Sequence, residues 1–249
     1  MLLWKSPLAV ASAFVMENLV QISRLVRLTR SFLNCPDDPI VLSETTHLVQ
    51  NLYRKDCDPR ISQIIDEVAT IVPTRSLDYA ALVPQSYRFE STQTFKLVIR
   101  YYSFRIMLCG LLGSLCGYIS IHERFDVSTM EIKEAQAAQS IAMCADYALN
   151  QDPTLHLVAL RMVVPLTISF GAWHRVEKRM GMSAKHHEHA RRMKLWCLEL
   201  RNQLHREWQI PPVTVQNAEL SAEAMAGGSL TPYEKRRSDP SSILASEKI

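Results

Sequence analysis

Six cysteines are the first residues that could do chemistry: Cys35, Cys57, Cys109, Cys116, Cys144 and Cys197. An even count suits a disulfide framework in a small secreted chain, and close pairs suit structural zinc. Here they lie far apart, without C-x-x-C or a paired Cys/His spacing, and most fall inside apolar helical patterns. That setting predicts buried free thiols in a reducing compartment. Cys109 and Cys116 share one side of a helical pattern, two turns apart. Their Cα atoms would be ~10 Å apart along the axis, beyond disulfide reach.

HHEHARR, His186 to Arg192, is the most tempting metal candidate. The zincin pattern requires a second histidine four residues after the first, and Arg191 stands four after His187. His186 and His189 could share a helical face, but beside Arg and Lys they read as solvated. Asp37 and Asp38, in CPDDP, offer paired carboxylates. Their proline-flanked setting favours capping and turning over magnesium binding. There is no GxSxG, no P-loop and no GxGxxG after a strand, so nucleophile-elbow and nucleotide-cradling chemistry has no visible carrier. The sequence thus nominates no catalytic residue, no cofactor-binding residue, no cofactor and no metal ligand, and the chain is expected not to be an enzyme.

The elements around these residues are helical. The chain has 249 residues, 47% of them hydrophobic and 21% charged, with only seven glycines. That is enough apolar mass for one large helical core. A net charge of +3, dispersed through RYYSFR, HRVEKR and HARRMK, lacks the concentrated basic footprint of a nucleic-acid binder, so this chain is not expected to bind DNA directly by itself. SPLAVASAFVM imitates a signal-peptide core, but only Lys5 precedes it and its helical pattern runs on to Leu33.

Ser6 and Pro7 open a first helix that CPDDP ends. A short second helix is expected from a Ser43 cap through Tyr53, and a third from Asp58-Pro59, with Ile61, Ile64, Ile65, Val68 and Val72 on one face. The stretch from Pro73 to Ser91 reads as a connector with two prolines. Ser91 caps the longest pattern, Thr92 to about Ile121. An alanine-rich helix then starts near Ser128 or Thr129. The next runs from Thr154 to about Met180, and Pro165 inside it predicts a kink or two abutting helices. Gly181 and Ser183 separate it from a last helix with an apolar stripe through Ala190, Met193, Cys197, Leu200, Leu204 and Trp208.

Within the longest pattern, RIMLCGLLGSLCGYISIHER (Arg105 to Arg124) has sixteen uncharged residues, Ile106 to Ile121. They span only ~24 Å as a helix, short of the ~30 Å of a bilayer core. The run therefore reads as a central core helix, with no membrane partner. Its glycines, Gly110, Gly113 and Gly117, fall on one face, cost ~2–3 kcal/mol of helix stability, and predict a close neighbour such as the helix around Ala138 to Ala145. Residues 209–249 are rich in Pro, Ser, Gly and Ala and are expected to be a disordered tail. In it EKRRSDP, Glu234 to Pro240, is a weak basic cluster. The expected architecture is all-α: a single multi-helix domain of about seven helices over residues 1–208, with the disordered tail at 209–249.

Taken in order, several stretches resemble the regulatory region of fungal-specific transcription factors of the zinc binuclear cluster class. VPQSYRF (Val83 to Phe89) precedes a helix bearing YYSFRIMLCGLLGSL. AAQSIAMCADYAL (Ala137 to Leu149), VPLTISFGAWHR (Val164 to Arg175) and HARRMKLWCLELRNQLHREW (His189 to Trp208) follow. The resemblance spans roughly Leu42 to Trp208. It implies a non-catalytic regulatory domain of a nuclear transcription regulator, with a metabolic gene cluster as the expected setting. Its implied partners are other regulatory proteins or a DNA-binding subunit, with a small-molecule effector as a further candidate. The family's zinc cluster is lacking, because the six cysteines do not have its spacing, and no DNA-contacting residue carries over. The alternative is a helical enzyme or small-molecule-binding protein whose site converges only in three dimensions.

Overall fold

A cap and a proline start each of the first three helices. Ser6 accepts the Ala9 N–H at 3.3 Å and opens α1 (Pro7–Asn34). The Asp38 carboxylate takes the N–H groups of Ile40 and Val41 and opens α2 (Pro39–Asp56), and Asp58 opens α3 (Pro59–Glu67). Each places proline at the first helical position, where no backbone donor is needed. The expected start of α2 at Ser43 is corrected by this geometry: an aspartate whose Oδ1 accepts two backbone N–H groups, followed by proline, is the stronger initiator. It also settles what Asp38 does, which is cap.

The computed structural model describes residues 6–76, 80–116, 118, 127–150, 156–179, 181–206 and 208–229. Among them, after α3, come β1 (Thr70–Pro73) and β2 (Gln85–Arg88), then α4 (Thr92–Leu115), α5 (Val127–Met143), α6 (Ala145–Leu149), α7 (His156–Leu160), α8 (Val163–Lys178), α9 (Ala184–Arg206) and α10 (Val215–Met225). The fold is all-α, with eight helices of nine residues or more and one two-stranded hairpin. That hairpin is a correction to the connector. Thr70 to Pro73 pairs antiparallel with Arg88 to Gln85, and Thr74 locks the loop end by giving its hydroxyl to the Val83 carbonyl at 2.6 Å. Val72, expected on the face of α3, therefore belongs to a strand.

Helix α4 is the axis of the domain. Ser91 and Thr94 form a reciprocal capping box, and sixteen of its 24 residues are buried, so it has no solvent face to speak of. One end of it joins Phe95, Val98, Tyr101 and Ile106 to a large core built with α5, α8 and α9. The other end joins Phe104, Leu108, Leu111 and Leu115 to a second cluster with Ile22, Leu25 and Phe32 of α1 and Leu48 and Leu52 of α2. The helix stops at Leu115, short of the expected Ile121, and residues 119–126 lie outside the described residues.

The predicted break near Pro165 is present as two abutting helices: α7 ends, Met162 makes a tight turn onto Ala159 at 2.9 Å, and α8 begins. Pro165 sits in the first turn of α8, where its missing N–H costs nothing. Gly181, at φ +86°, follows α8. The alanine-rich helix also divides, at Cys144, whose thiol turns back to the Ser140 carbonyl at 3.2 Å.

The largest correction concerns residues 209–229. Thr214 caps α10 by accepting the Asn217 N–H, and Ala218 and Ala222 of α10 enter the main core. Arg30 of α1 reaches the carbonyls of Ala224 and Gly228 at 2.9 and 3.0 Å and satisfies the end of the helix. The ordered domain therefore runs past 208 to at least 229. Residues 230–249, with the basic cluster Glu234 to Pro240, lie outside the described residues.

Candidate functional site

The buried cysteines do not make a reactive site. All six are free; Cys109, Cys144 and Cys197 are buried, whereas Cys35 and Cys57 are exposed at the ends of α1 and α2. The expectation of buried thiols thus fails for those two. Burial pushes the thiols of Cys109, Cys144 and Cys197 far up, which keeps them protonated and poor nucleophiles. His186 accepts or donates at 2.7 Å to Ser183, beside the start of α9, and His186, His187 and Glu188 are exposed. His189 instead meets the Trp173 ring edge-on at 5.7 Å. Among the described residues no group of three His, Cys, Asp or Glu side chains is placed to hold a metal ion.

The glycine face of α4 has an unexpected neighbour. The alanine-rich helix α5 packs along α4 as expected, but the atoms nearest a Cβ on Gly110 are those of the Arg175 guanidinium, on α8, at 2.9 Å. Gly113 faces open space, and Gly117 lies outside the described residues. Arg175 is held there by Glu134 of α5, whose side chain is 2% exposed and pairs with it at 2.6 Å; the same carboxylate pairs with Arg179 at 2.6 Å. The small-residue close approach occurs elsewhere, where Ala222 of α10 rides over Gly171 of α8: a Cβ added to Gly171 would sit 3.0 Å from that of Ala222.

Two further buried charge centres tie helices together. Asp56, at the end of α2, accepts from Arg105 of α4 at 2.9 Å and faces Lys133 of α5 at 3.6 Å. Arg105 also lies over the Tyr101 ring at 5.1 Å, and burial raises the Tyr101 hydroxyl to about 12. Lys194 of α9 pairs with Glu177 of α8 and, at 3.2 Å, with Glu219 of α10. Beside it His174 stacks on Phe170. Its Nδ1 is 3.3 Å from Glu219, but neither ring nitrogen has hydrogen-bond geometry to a partner. Burial, then the Lys178 charge, lowers its pKa below the usual histidine value.

The basic stretches seen in the sequence are largely consumed by these pairs: Arg105, Arg175, Arg179 and Lys194 all meet acids inside the fold. Among the described residues Arg100 and Arg192 meet no acid, and Arg100 leads to a cavity. Between α1, α4 and the start of α8 lies a groove of about 500 Å³. Ile22, Ile99, Met107 and Ile168 line it, with Leu19, Val164 and Pro165. Three cations join them: Lys96 and Arg100 from α4 and Arg161 from the α7–α8 break. No acidic side chain lines it, and among the described residues none of the three cations has an ion pair or hydrogen bond to a side chain. A half-open apolar cavity with a few polar groups at its edge is the physical form of a small-molecule site.

Sequence reasoning missed this groove, because its walls come from residues 19–23, 96–107 and 161–168. One signal existed. Lys96 and Arg100 are four apart on an otherwise apolar helix, a like-charge pairing that weakens the helix by a few tenths of a kcal/mol.

Among the described residues one helix, α1, is long and apolar enough to cross a membrane; 28% of its most apolar window is buried. Ala11, Val15, Ile22, Leu25 and Phe32 bury one stripe of it in the domain. Glu17 and Arg24 on its flank pair with Lys55 and Glu44 of α2 at 2.7 and 3.3 Å. In comparisons with known proteins, no family model, no curated protein and no solved structure matches the chain.

Proposed function

We propose that this chain is a non-catalytic helical regulatory module of a transcription regulator, one that takes up a small effector and biases a DNA-binding partner. The groove between α1, α4 and α8 is the observation that carries the reading: about 500 Å³, apolar-walled and unfilled by side chains. It lies where the two core clusters meet, since Ile22 belongs to one and Ile99 and Ile168 to the other. A ligand seated there touches three helices at once and shifts any equilibrium in which those helices repack. The ordered resemblance to the regulatory region of fungal-specific transcription factors supplies the biological setting: the nucleus, with control of a metabolic gene cluster as the readout. Of the segments that carry it, Tyr101 to Leu115 lies on α4 and Val164 to Arg175 on α8, and these two include Ser103, Met107, Val164, Pro165 and Ile168 of the groove wall. Internal neutralisation of most core arginines fits a module that relies on a partner to contact DNA.

The test is transcriptional. Fused to a heterologous DNA-binding domain, the full chain should change a matching reporter several-fold relative to the DNA-binding domain alone. Deletion of its gene should alter a coherent set of transcripts. Unchanged reporter and transcripts, together with turnover of a metabolite by the purified chain, would overturn the reading in favour of a helical enzyme.

A further inference from the structure

Charge separates the groove from the other clefts of the domain. Two of these, of about 260 and 330 Å³, carry their own acids: Glu131 and Glu134 in one, Glu17 and Glu44 in the other. Their cations are already matched. In the groove the polar complement is Lys96, Arg100 and Arg161, with Ser23, buried Ser103 and no carboxylate, and the Ser23 hydroxyl turns back to the Leu19 carbonyl at 3.4 Å. Ser103 is not spare, because its hydroxyl is committed to the Ile99 carbonyl at 2.7 Å. Arg100 and Arg161 are exposed and Lys96 is half-buried, so water screens part of their mutual repulsion, and the three leave a local excess of positive charge beside one apolar wall. An anion seated among them relieves that repulsion, while an apolar body covers Ile99, Met107 and Ile168.

We propose that the groove binds an amphiphilic organic anion: a small carboxylic acid with a ring or chain of hydrocarbon behind it. This rests on the effector-binding reading above and names the chemistry of the effector. Size argues for a small molecule, since about 500 Å³ lies within the range of drug-sized pockets and holds no folded segment. Placement argues against a nucleic-acid backbone, which recruits a row of cations along a surface rather than three around one hollow.

The experiment uses the full chain with two probes that share a naphthyl-CH2 body and differ in the terminal group, the anion of 1-naphthaleneacetic acid and its uncharged alcohol analogue, 1-naphthaleneethanol. Binding is read by calorimetry and by the methyl NMR signals of Ile22, Met107, Val164 and Ile168. The acid should bind at least ten-fold more tightly than the alcohol, and both should move those methyls. Added salt should weaken the acid alone. The variant K96Q/R100Q/R161Q should lose the preference for the acid, with alcohol binding and the far-UV spectrum unchanged. Equal affinities, a preference that survives in the triple variant, or no shift at those methyls with either probe at millimolar concentration would each overturn the proposal. The reporter assay fails or succeeds independently. A chain that regulates transcription yet ignores both probes refutes only the ligand class, and one that binds the acid without regulating refutes only the transcriptional role.

Discussion

Gly110→Ala should destabilise the native domain and stabilise a domain that lacks Arg175. In a helix interior, alanine is favoured over glycine by about 0.8–1.0 kcal/mol. Against that gain stands the guanidinium of Arg175, 2.9 Å from where the new Cβ would lie. The far end of an arginine ordinarily yields at little cost. This one is held by Glu134, through Nε at 2.8 Å and Nη2 at 2.6 Å. Moving it forfeits charge-assisted hydrogen bonds worth about 1.5–3 kcal/mol, and partial exposure of the arginine places the loss at the lower end. The net expectation is about 0.5–1 kcal/mol of destabilisation. With Arg175→Ala already present the obstacle is absent and the full helix-propensity gain, about 1 kcal/mol, should appear. The double-mutant coupling is therefore about 1.5–2 kcal/mol, well above the scatter of independent sites. Urea unfolding followed by far-UV circular dichroism measures all four proteins. If Gly110→Ala shifts stability by the same amount and sign in both backgrounds, the account of why glycine occupies this position is wrong.

Three other expectations follow from the same geometry. Asp56→Ala should cost more than Arg105→Met in urea unfolding: the first strands Arg105 and Lys133 without an acid, about 3–5 kcal/mol, while the second leaves Asp56 its Lys133 partner; equal losses would contradict the pairing. His174 binds its proton more weakly folded than unfolded, so its contribution to stability should be constant above about pH 7 and should fall as pH drops through 6.5 towards the folded value. His189 and His205 are lowered too and act with the same sign, so His174→Gln should shallow the slope of midpoint against pH between about 7 and 5.5 without abolishing it. Truncation after Gln209 removes α10, uncovers Ile106 and Ile168 and should lower stability by about 2 kcal/mol or more; an unchanged unfolding midpoint would restore the boundary at 208.

What the sequence by itself determined is local. Ser6-Pro7 and Asp58-Pro59 announce their helices because a cap and a proline act within one turn of chain. The break before Pro165 was readable for the same reason, and the apolar run from Ile106 onward reads as core because no face of it could tolerate water. Where competing local signals stood side by side, the stronger won unseen: Asp38 over Ser43. Residues whose value depends on a distant partner were illegible. Thr70 to Pro73 become a strand only against Gln85 to Arg88. The alanines of α10 look too small to hold a helix in place, and they do so because Gly171, more than forty positions earlier, lets the two backbones close together. Gly110 was visible as an oddity in the sequence, but the reason for it, an arginine pinned by a buried glutamate, required three helices to meet. The groove is the extreme case. Lys96 and Arg100 stand at the rim of a groove only once the fold brings Arg161 and the apolar walls of α1 and α8 beside them. The lack of a facing acid is a property of that juxtaposition, because counter-charge is set by tertiary contacts and not by neighbours in the chain.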